Sequence, residues 1–321
     1  MGRSIKMKIE NIKRLSSNFV KDAGAFSVAF ACAKFMRDAP ILSWEKRRTI
    51  YEESLRKYLR ERYEKDVKRI IAEYRESEEC ADKKIWVMWW QGRSSMLPLV
   101  EACYNKILKE CSEDYEVVLI TKDNYASYVE LPDYILKKVE NGNITLTHLS
   151  DIIRVMLLNK WGGIWLDATI YLHHLPEMIG NSKFFTLSGK GMFPDFISRG
   201  EWSPFMMATN RKNYLLMQCM EFLLLAYWKE HDCLIEYLLV DYFIDLVKHN
   251  SDAVIRDIQE VPYNNQFYEL NSVLNQKYVK EEIDHIFSGS PLQKTSYKQQ
   301  FQSQTPDGKE TVYQVMLDGG L

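Results

Sequence analysis

The sequence predicts an α/β fold over residues 83–321, with a partly parallel sheet, behind an N-terminal helical extension over residues 1–82. Two patterns carry that prediction. From Lys84 onward, short apolar runs closed by turn residues alternate with amphipathic stretches, as strands alternate with helices in an α/β layer. Before it, residues 43–79 place apolar side chains at helical spacing instead.

The elements follow in order. Residues 43–79 read as one long amphipathic helix with Ile50, Leu55, Tyr58, Leu59, Tyr63, Val67, Ile70 and Ile71 on its stripe. Ser43 is placed to cap it, with Lys46 where a capping box has an acid. Residues 85–90, closed by Gln91-Gly92, suit a strand buried on both faces. A helix is expected over 97–109, a second strand over 115–120 and a helix over 132–139. Ser150 is the expected N-cap of a helix that runs to Lys160 and is stopped by Gly162-Gly163. Residues 164–170 read as a third strand, 184–187 and 205–208 as further strands. Apolar helices are expected over 213–230 and 234–249, and a looped segment over 288–321.

Composition limits the function classes. Hydrophobic residues at 46% and charged residues at 27% exclude a disordered or collagen-like chain. No apolar run approaches the 18–20 residues of a spanning helix. Net charge is −2 but uneven: residues 1–80 carry 19 Lys and Arg against 13 Asp and Glu, so the extension is basic and the remainder acidic. Arg3, Lys6, Lys8, Lys13, Arg14 and Lys21 face Glu10 alone, a pattern of either a solvated helix face or an arm drawn to anionic surfaces. No nucleic-acid motif accompanies it, so no nucleic-acid partner is expected. Residues 23–33 imitate a secretory signal, but Asp22 abuts them and they lack Leu and Ile, so a buried or membrane-touching helix is expected. Six cysteines without C-x-x-C spacing suit a reducing, cytoplasmic setting. His148, His173 and His174 have no metal-site spacing, and there is no Walker loop or G-x-S-x-G elbow.

Chemistry concentrates between Ser150 and Thr169. Asp151 and Arg154 share a helix face, a glycine pair turns the chain, and Asp167 emerges near the carboxyl end of the third strand. Ligands of open α/β sheets bind at that end. Two acids and an arginine there suit a polyhydroxylated, anionic ligand, since carboxylates accept from hydroxyls and arginine answers phosphate. Taken singly, each of these residues reads more simply as a cap, a local ion pair or a turn than as a ligand contact. Asp241, between Val240 and Tyr242-Phe243, is an acid in an apolar run and needs a partner, in an acceptor-side role or a structural ion pair.

The string S-D-x-x-R-x-x-x-L-x-x-x-G-G-x-W-x-D-x-T over 150–169 resembles the signature of bacterial capsular polysaccharide synthesis glycosyltransferases, among the family 32-like sugar transferases and more distantly similar to the clostridial glucosylating toxins. The resemblance extends to 84–92 with Pro98, to Trp202-Ser203-Pro204-Phe205, to Tyr227-Trp228 and to 240–243, and covers 84 to about 300. It implies a GT-A fold, Rossmann-like, that binds a nucleotide diphosphate sugar, with a UDP-sugar favoured. By it Trp89 stacks on the base, Asp151 and Arg154 hold sugar hydroxyls, Trp165 lines the pocket, and Asp167 opens a D-x-D-like motif. Lys294 and Lys298 would lie on a loop that closes over the diphosphate. A divalent metal (Mn²⁺ or Mg²⁺) would meet Asp167 and Thr169, but Thr169 replaces the second acid and adds no charge.

The implied reaction is transfer of a hexose-like sugar, with retention, to a hydroxyl of a lipid-linked glycan in capsule or surface-polysaccharide synthesis. The protein would then work in the cytoplasm, with peripheral contact at the inner membrane face through residues 1–40 and the 43–79 helix. The threonine also admits a non-catalytic scaffold with a decayed site, and a sugar-phosphate transferase would share the donor.

Overall fold

The computed structural model describes residues 2–39, 42–264 and 266–321, with side chains from residue 13 onward. The side chains of Arg3, Lys6, Lys8 and Glu10 lie outside that description. The chain opens with α1 (Gly2–Ala25), α2 (Val28–Asp38) and α3 (Trp44–Glu73). Then come β1 (Lys84–Met88), α4 (Pro98–Cys111), β2 (Glu116–Ile120), α5 (Asp133–Glu140), α6 (Leu146–Lys160), β3 (Gly163–Leu166) and β4 (Ile170–Leu172). There follow α7 (Glu177–Asn181), β5 (Phe185–Thr186), β6 (Met206–Thr209), α8 (Leu215–Glu230), α9 (Leu239–Lys248) and α10 (Asp252–Gln259). The chain closes with α11 (Glu269–Val273), α12 (Lys280–Gly289), β7 (Leu292–Lys294) and α13 (Val312–Leu317).

The expected α/β architecture with N-terminal helices is present. The main sheet runs β2-β1-β3-β6-β5. β1 is parallel to β2 and β3, and β6 is antiparallel to β3 and β5. The strands read as unbroken apolar runs because both faces are covered. Trp86, Met88, Trp165 and Met207 point into a core shared with α3, α6, α8 and α9. Ile85, Val87, Ile164 and Leu166 point into a second core with α4, β4 and the C-terminal elements.

The amphipathic stripe of α3 has its partner. Tyr51, Leu55, Leu59, Tyr63 and Val67 are buried, and α3 lies against α8 and α9. Each such side chain removed from water contributes about 1.5–3 kcal/mol. The expected use of that face as a membrane contact is therefore corrected: the face is spent on the protein's own core. α3 also stops at Glu73, and Ser43 makes no side-chain cap bond. Residues 23–33 are not one helix. α1 ends at Ala25, and the Ser27 hydroxyl caps α2 by accepting from the Phe30 amide at 3.2 Å. Among the described residues no helix is long and apolar enough to cross a membrane.

Three further expectations change. α6 starts at Leu146 under a Thr145 cap, and Ser150 sits inside the helix with its hydroxyl donating to Thr147 O at 2.6 Å. The run 164–170 breaks after Leu166: a turn closed by Ile170 N donating to Asp167 O at 2.9 Å sends β4 into a separate two-stranded sheet with β7. The segment 288–321 is therefore not all loop, since it supplies β7 and α13.

The Gly162-Gly163 pair makes the passage from α6 to β3. Both residues have positive φ, +65° and +89°, which costs a side-chain-bearing residue about 1–2 kcal/mol. A Cβ on Gly163 would also lie 2.5 Å from Lys84 O, at the β1–β3 seam. Gly142 shares a positive φ but has open space around it. Gly163→Ala is expected to cost roughly 3 kcal/mol or more of stability against about 1 for Gly142→Ala, and so to lower Tm clearly more. Thermal melts of the two variants check this; equal losses would mean that the seam is not close-packed.

Candidate functional site

The D-x-T turn lies where the main sheet ends. β3 delivers Asp167, whose amide donates to Phe205 O at 2.9 Å, and the turn places Ala168 and Thr169 beside it. β7 runs antiparallel to β4 with Lys294 opposite Ile170. Around this junction opens a cleft of about 640 Å³. Its walls include Trp89 and Trp90 after β1, Ser150 of α6, the D-x-T turn and residues 294–298.

Asp167 is the most heavily engaged side chain there. Its Oδ1 accepts from Arg154 Nη2 at 3.1 Å and from Trp165 Nε1 at 3.0 Å. Its Oδ2 accepts from Lys294 Nζ at 2.8 Å. The same ammonium donates to Thr169 Oγ1 at 2.7 Å. Burial by itself would raise the Asp167 carboxyl, but Lys294 and Arg154 outweigh it and hold the group below its ordinary value.

Behind this wall stands a second row. Arg154 is 3% exposed, lies over the Trp165 ring at 5.0 Å and binds Asp151 Oδ1 at 2.7 Å. Burial raises the Asp151 carboxyl despite Arg154. Deeper still, Asp241 Oδ1 accepts from Trp202 Nε1 at 2.9 Å. Its burial, together with the Asp151 charge, pushes it up to about 7. Breaking the buried Arg154–Asp151 ion pair by removing one partner costs about 3–5 kcal/mol. Asp151, Arg154 and Asp167 thus form one bonded chain, with Asp241 near enough to feel its charge.

The residues singled out in the sequence divide accordingly. Trp89, Trp165, Asp167, Thr169, Lys294 and Lys298 line the cleft. Trp89 is half-buried, 5.8 Å edge-to-face from Tyr297, and Trp90 packs on Tyr125 at 5.2 Å. Asp151, Arg154 and Asp241 stand in the second row. Lys294 sits on a strand pinned into the fold, while Lys298 is an exposed rim residue on a loop. Tyr268, Asn271, Ser296 and Tyr297 also line the cleft, as does Tyr237, which the apolar run around it would place in the core but which is exposed. Ser296 and Tyr297 lie between Lys294 and Lys298, while Tyr237, Tyr268 and Asn271 have no local signal that marks them as site residues.

A divalent metal does not fit the turn as these side chains stand. Asp167 already accepts three donors of the roughly four its carboxylate can take. Thr169 Oγ1 accepts from the same lysine. Among the described residues no group of three His, Cys, Asp or Glu side chains is set to hold an ion.

The chain is similar to known proteins in three comparisons. The profile of a family described as "Capsular polysaccharide synthesis protein" matches residues 40–316. The O-glycosyltransferase braB of Annulohypoxylon truncatum is 27% identical over 110 residues, 32% of this chain and 26% of that protein. The chain thus spans about a quarter of the curated relative it matches. The solved structure of PaToxG Glycosyltransferase shares 15% identity at a TM-score of 0.38, over 68% of this chain and 90% of that one.

The inner carboxylate makes stability depend on pH. Asp241 ionises near 7 in the fold, against about 3.9 in an unfolded chain, so between those values the folded state keeps a proton the unfolded state releases. The stability it provides is fully present at low pH and is lost as pH rises through about 7. Asp241→Asn, which keeps an acceptor for Trp202, is expected to leave Tm nearly unchanged at pH 5 and to raise it by several degrees at pH 8.5. Melting curves at both pH values test this, and an equal shift at both would contradict it.

Proposed function

The chain belongs to the capsular polysaccharide synthesis protein family, and on that premise we propose that it is a glycosyltransferase that moves a sugar from a nucleotide diphosphate sugar to a glycan hydroxyl. The observation that carries the proposal is the cleft itself: the indoles of Trp89 and Trp90 share its walls with Asp167 and Lys294, at the carboxyl ends of parallel strands. A flat base, a hydroxylated sugar and an anionic diphosphate need those three kinds of wall. In this reading Trp89 stacks on the base, with UDP-sugars the favoured donors. Asp167 accepts from a sugar or ribose hydroxyl through its remaining lone pair. Lys294, with Lys298 at the rim, meets the diphosphate. Arg154 is nearly inaccessible and bonded to two acids, which supports a positioning role for Asp151 and Arg154 through Asp167 in place of direct sugar contact.

The transfer breaks the bond between the anomeric carbon and the diphosphate oxygen, and the electron pair stays on the diphosphate. The acceptor oxygen bonds to that carbon and its proton passes to the departing diphosphate. Cations placed where this charge develops lower the barrier. Attack from the leaving-group side retains configuration. Residues 83–321 carry this chemistry. The acceptor is lipid-linked, and α1 and α2 meet the inner membrane face, supported by exposed Val20 and Val28 beside Lys13, Arg14 and Lys21.

A thermal-shift screen of nucleotide sugars tests the reading. Donor at 100 times its Kd adds about 2.7 kcal/mol of stability, and UDP-sugars are expected to give the largest rise. Trp89→Ala is expected to weaken nucleotide binding about 10- to 100-fold through lost stacking. No shift with any nucleotide sugar would favour a scaffold. A product carrying phosphate with the sugar, seen by mass spectrometry, would favour a sugar-phosphate transferase.

A further inference from the structure

We propose that Lys294 is a built-in substitute for the divalent cation that the D-x-T turn would otherwise recruit, so that the donor diphosphate meets a lysine ammonium in place of a metal ion. The inference rests on the nucleotide-sugar reading for the identity of the anion, and on one turn and one strand for everything else.

The turn brings two oxygens to a point. Asp167 Oδ2 and Thr169 Oγ1 lie 2.8 and 2.7 Å from a single atom, which is the convergence a cation requires. The atom there is Lys294 Nζ. A divalent ion at its usual 2.0–2.6 Å from those oxygens would occupy nearly the same place, so ion and ammonium exclude each other.

The lysine is held there by the fold. Lys294 N donates to Phe267 O at 2.6 Å, and Thr295 donates to Thr169 O through both its amide, at 2.9 Å, and its hydroxyl, at 2.8 Å. Gln293, fully buried, accepts from Leu270 N and donates to Gln266 O and Ser290 O. The ammonium also lies 4.9 Å from the Phe205 ring. With 19% of its side chain exposed, Lys294 is a wall residue and differs from a free surface lysine.

Charge closes the argument. Asp151 and Asp167 are matched by Arg154 and Lys294. A second carboxylate at position 169 would leave an unmatched charge, whereas threonine offers Lys294 a neutral acceptor. Threonine at 169 and lysine at 294 thus match each other in charge and hydrogen bonding. An ammonium has three N–H donors, of which Asp167 and Thr169 take two, and Lys294 lines the cleft from which a diphosphate would take the third.

The test is calorimetric titration of the full chain with UDP, then GDP, CDP, ADP and dTDP, in EDTA and in excess Mn²⁺. Wild-type affinity is expected to be nearly the same in both media. Lys294→Met is expected to lose about 10- to 100-fold in EDTA, the worth of one charged hydrogen bond, and Lys294→Arg to keep most of the affinity. A gain of about tenfold or more for the wild type in Mn²⁺, abolished in Asp167→Asn, would overturn the proposal. If Lys294→Met does not fold, the wild-type comparison still decides. Electron paramagnetic resonance of Mn²⁺ with the protein alone gives a readout free of nucleotide. The wild type is expected to leave the free-ion spectrum unchanged, and an immobilised signal that Asp167→Asn removes would overturn the proposal. If no nucleoside diphosphate binds in either medium, the donor reading falls, and the resonance spectrum still rules on Lys294.

Discussion

One partly buried carboxylate organises the cleft. Asp167 sits at the end of β3 and its charge is answered from three directions: by Arg154 from α6, by the Trp165 indole from β3 and by Lys294 from β7. Arg154 and Trp165 are close to it in the chain while Lys294 lies 127 positions away, and each constrains the others. Arg154 can reach Asp167 only because the glycine pair turns α6 directly into β3. Lys294 can reach it only because the turn at 167–169 sends β4 out to pair with β7. Removing any donor would leave a partly buried carboxylate short of a partner, which is the expensive direction of change.

The rest of the architecture supports that junction. The strands that carry Trp89 and Asp167 are covered on both faces, by α4 and the C-terminal elements on one side and by α6, α8 and α9 on the other. α3 completes the second layer with Tyr51, Leu55, Leu59, Tyr63 and Val67. The chain's many aromatic residues divide along these lines. Trp86, Trp228, Tyr63 and Phe243 are core, while Trp89, Trp90, Tyr237 and Tyr297 frame the cleft. The pair Trp202–Asp241 ties the segment before β6 to α9.

How much of this could be read in the sequence depended on range. The α/β alternation, β1, β2, α4 and α5 were legible because each is written in a local period bounded by its own turn residues. Asp151, Arg154 and Asp167 were legible because they lie within one string of twenty residues. The start of α6 was not, since Thr145 and Ser150 are equally good caps and the residues between them continue the helix. The break at 167–169 was hidden because Ile164 and Ile170 are both buried, so the run looks continuous although it feeds two sheets. The contact of Lys294 with Asp167 spans 127 positions and has no local signature. The second-row placement of Arg154 and Asp241 is likewise a product of packing, visible only once the helices are stacked on the sheet.

A crystal structure with an intact UDP-sugar, or a non-transferable analogue, tests this arrangement most directly. The donor-cleft reading requires the base against Trp89, the diphosphate within hydrogen-bond reach of Lys294 Nζ, and the Arg154–Asp167 pair intact behind it. Density for the nucleotide elsewhere on the surface, or a metal ion between Asp167 and Thr169 with Lys294 displaced, would contradict it.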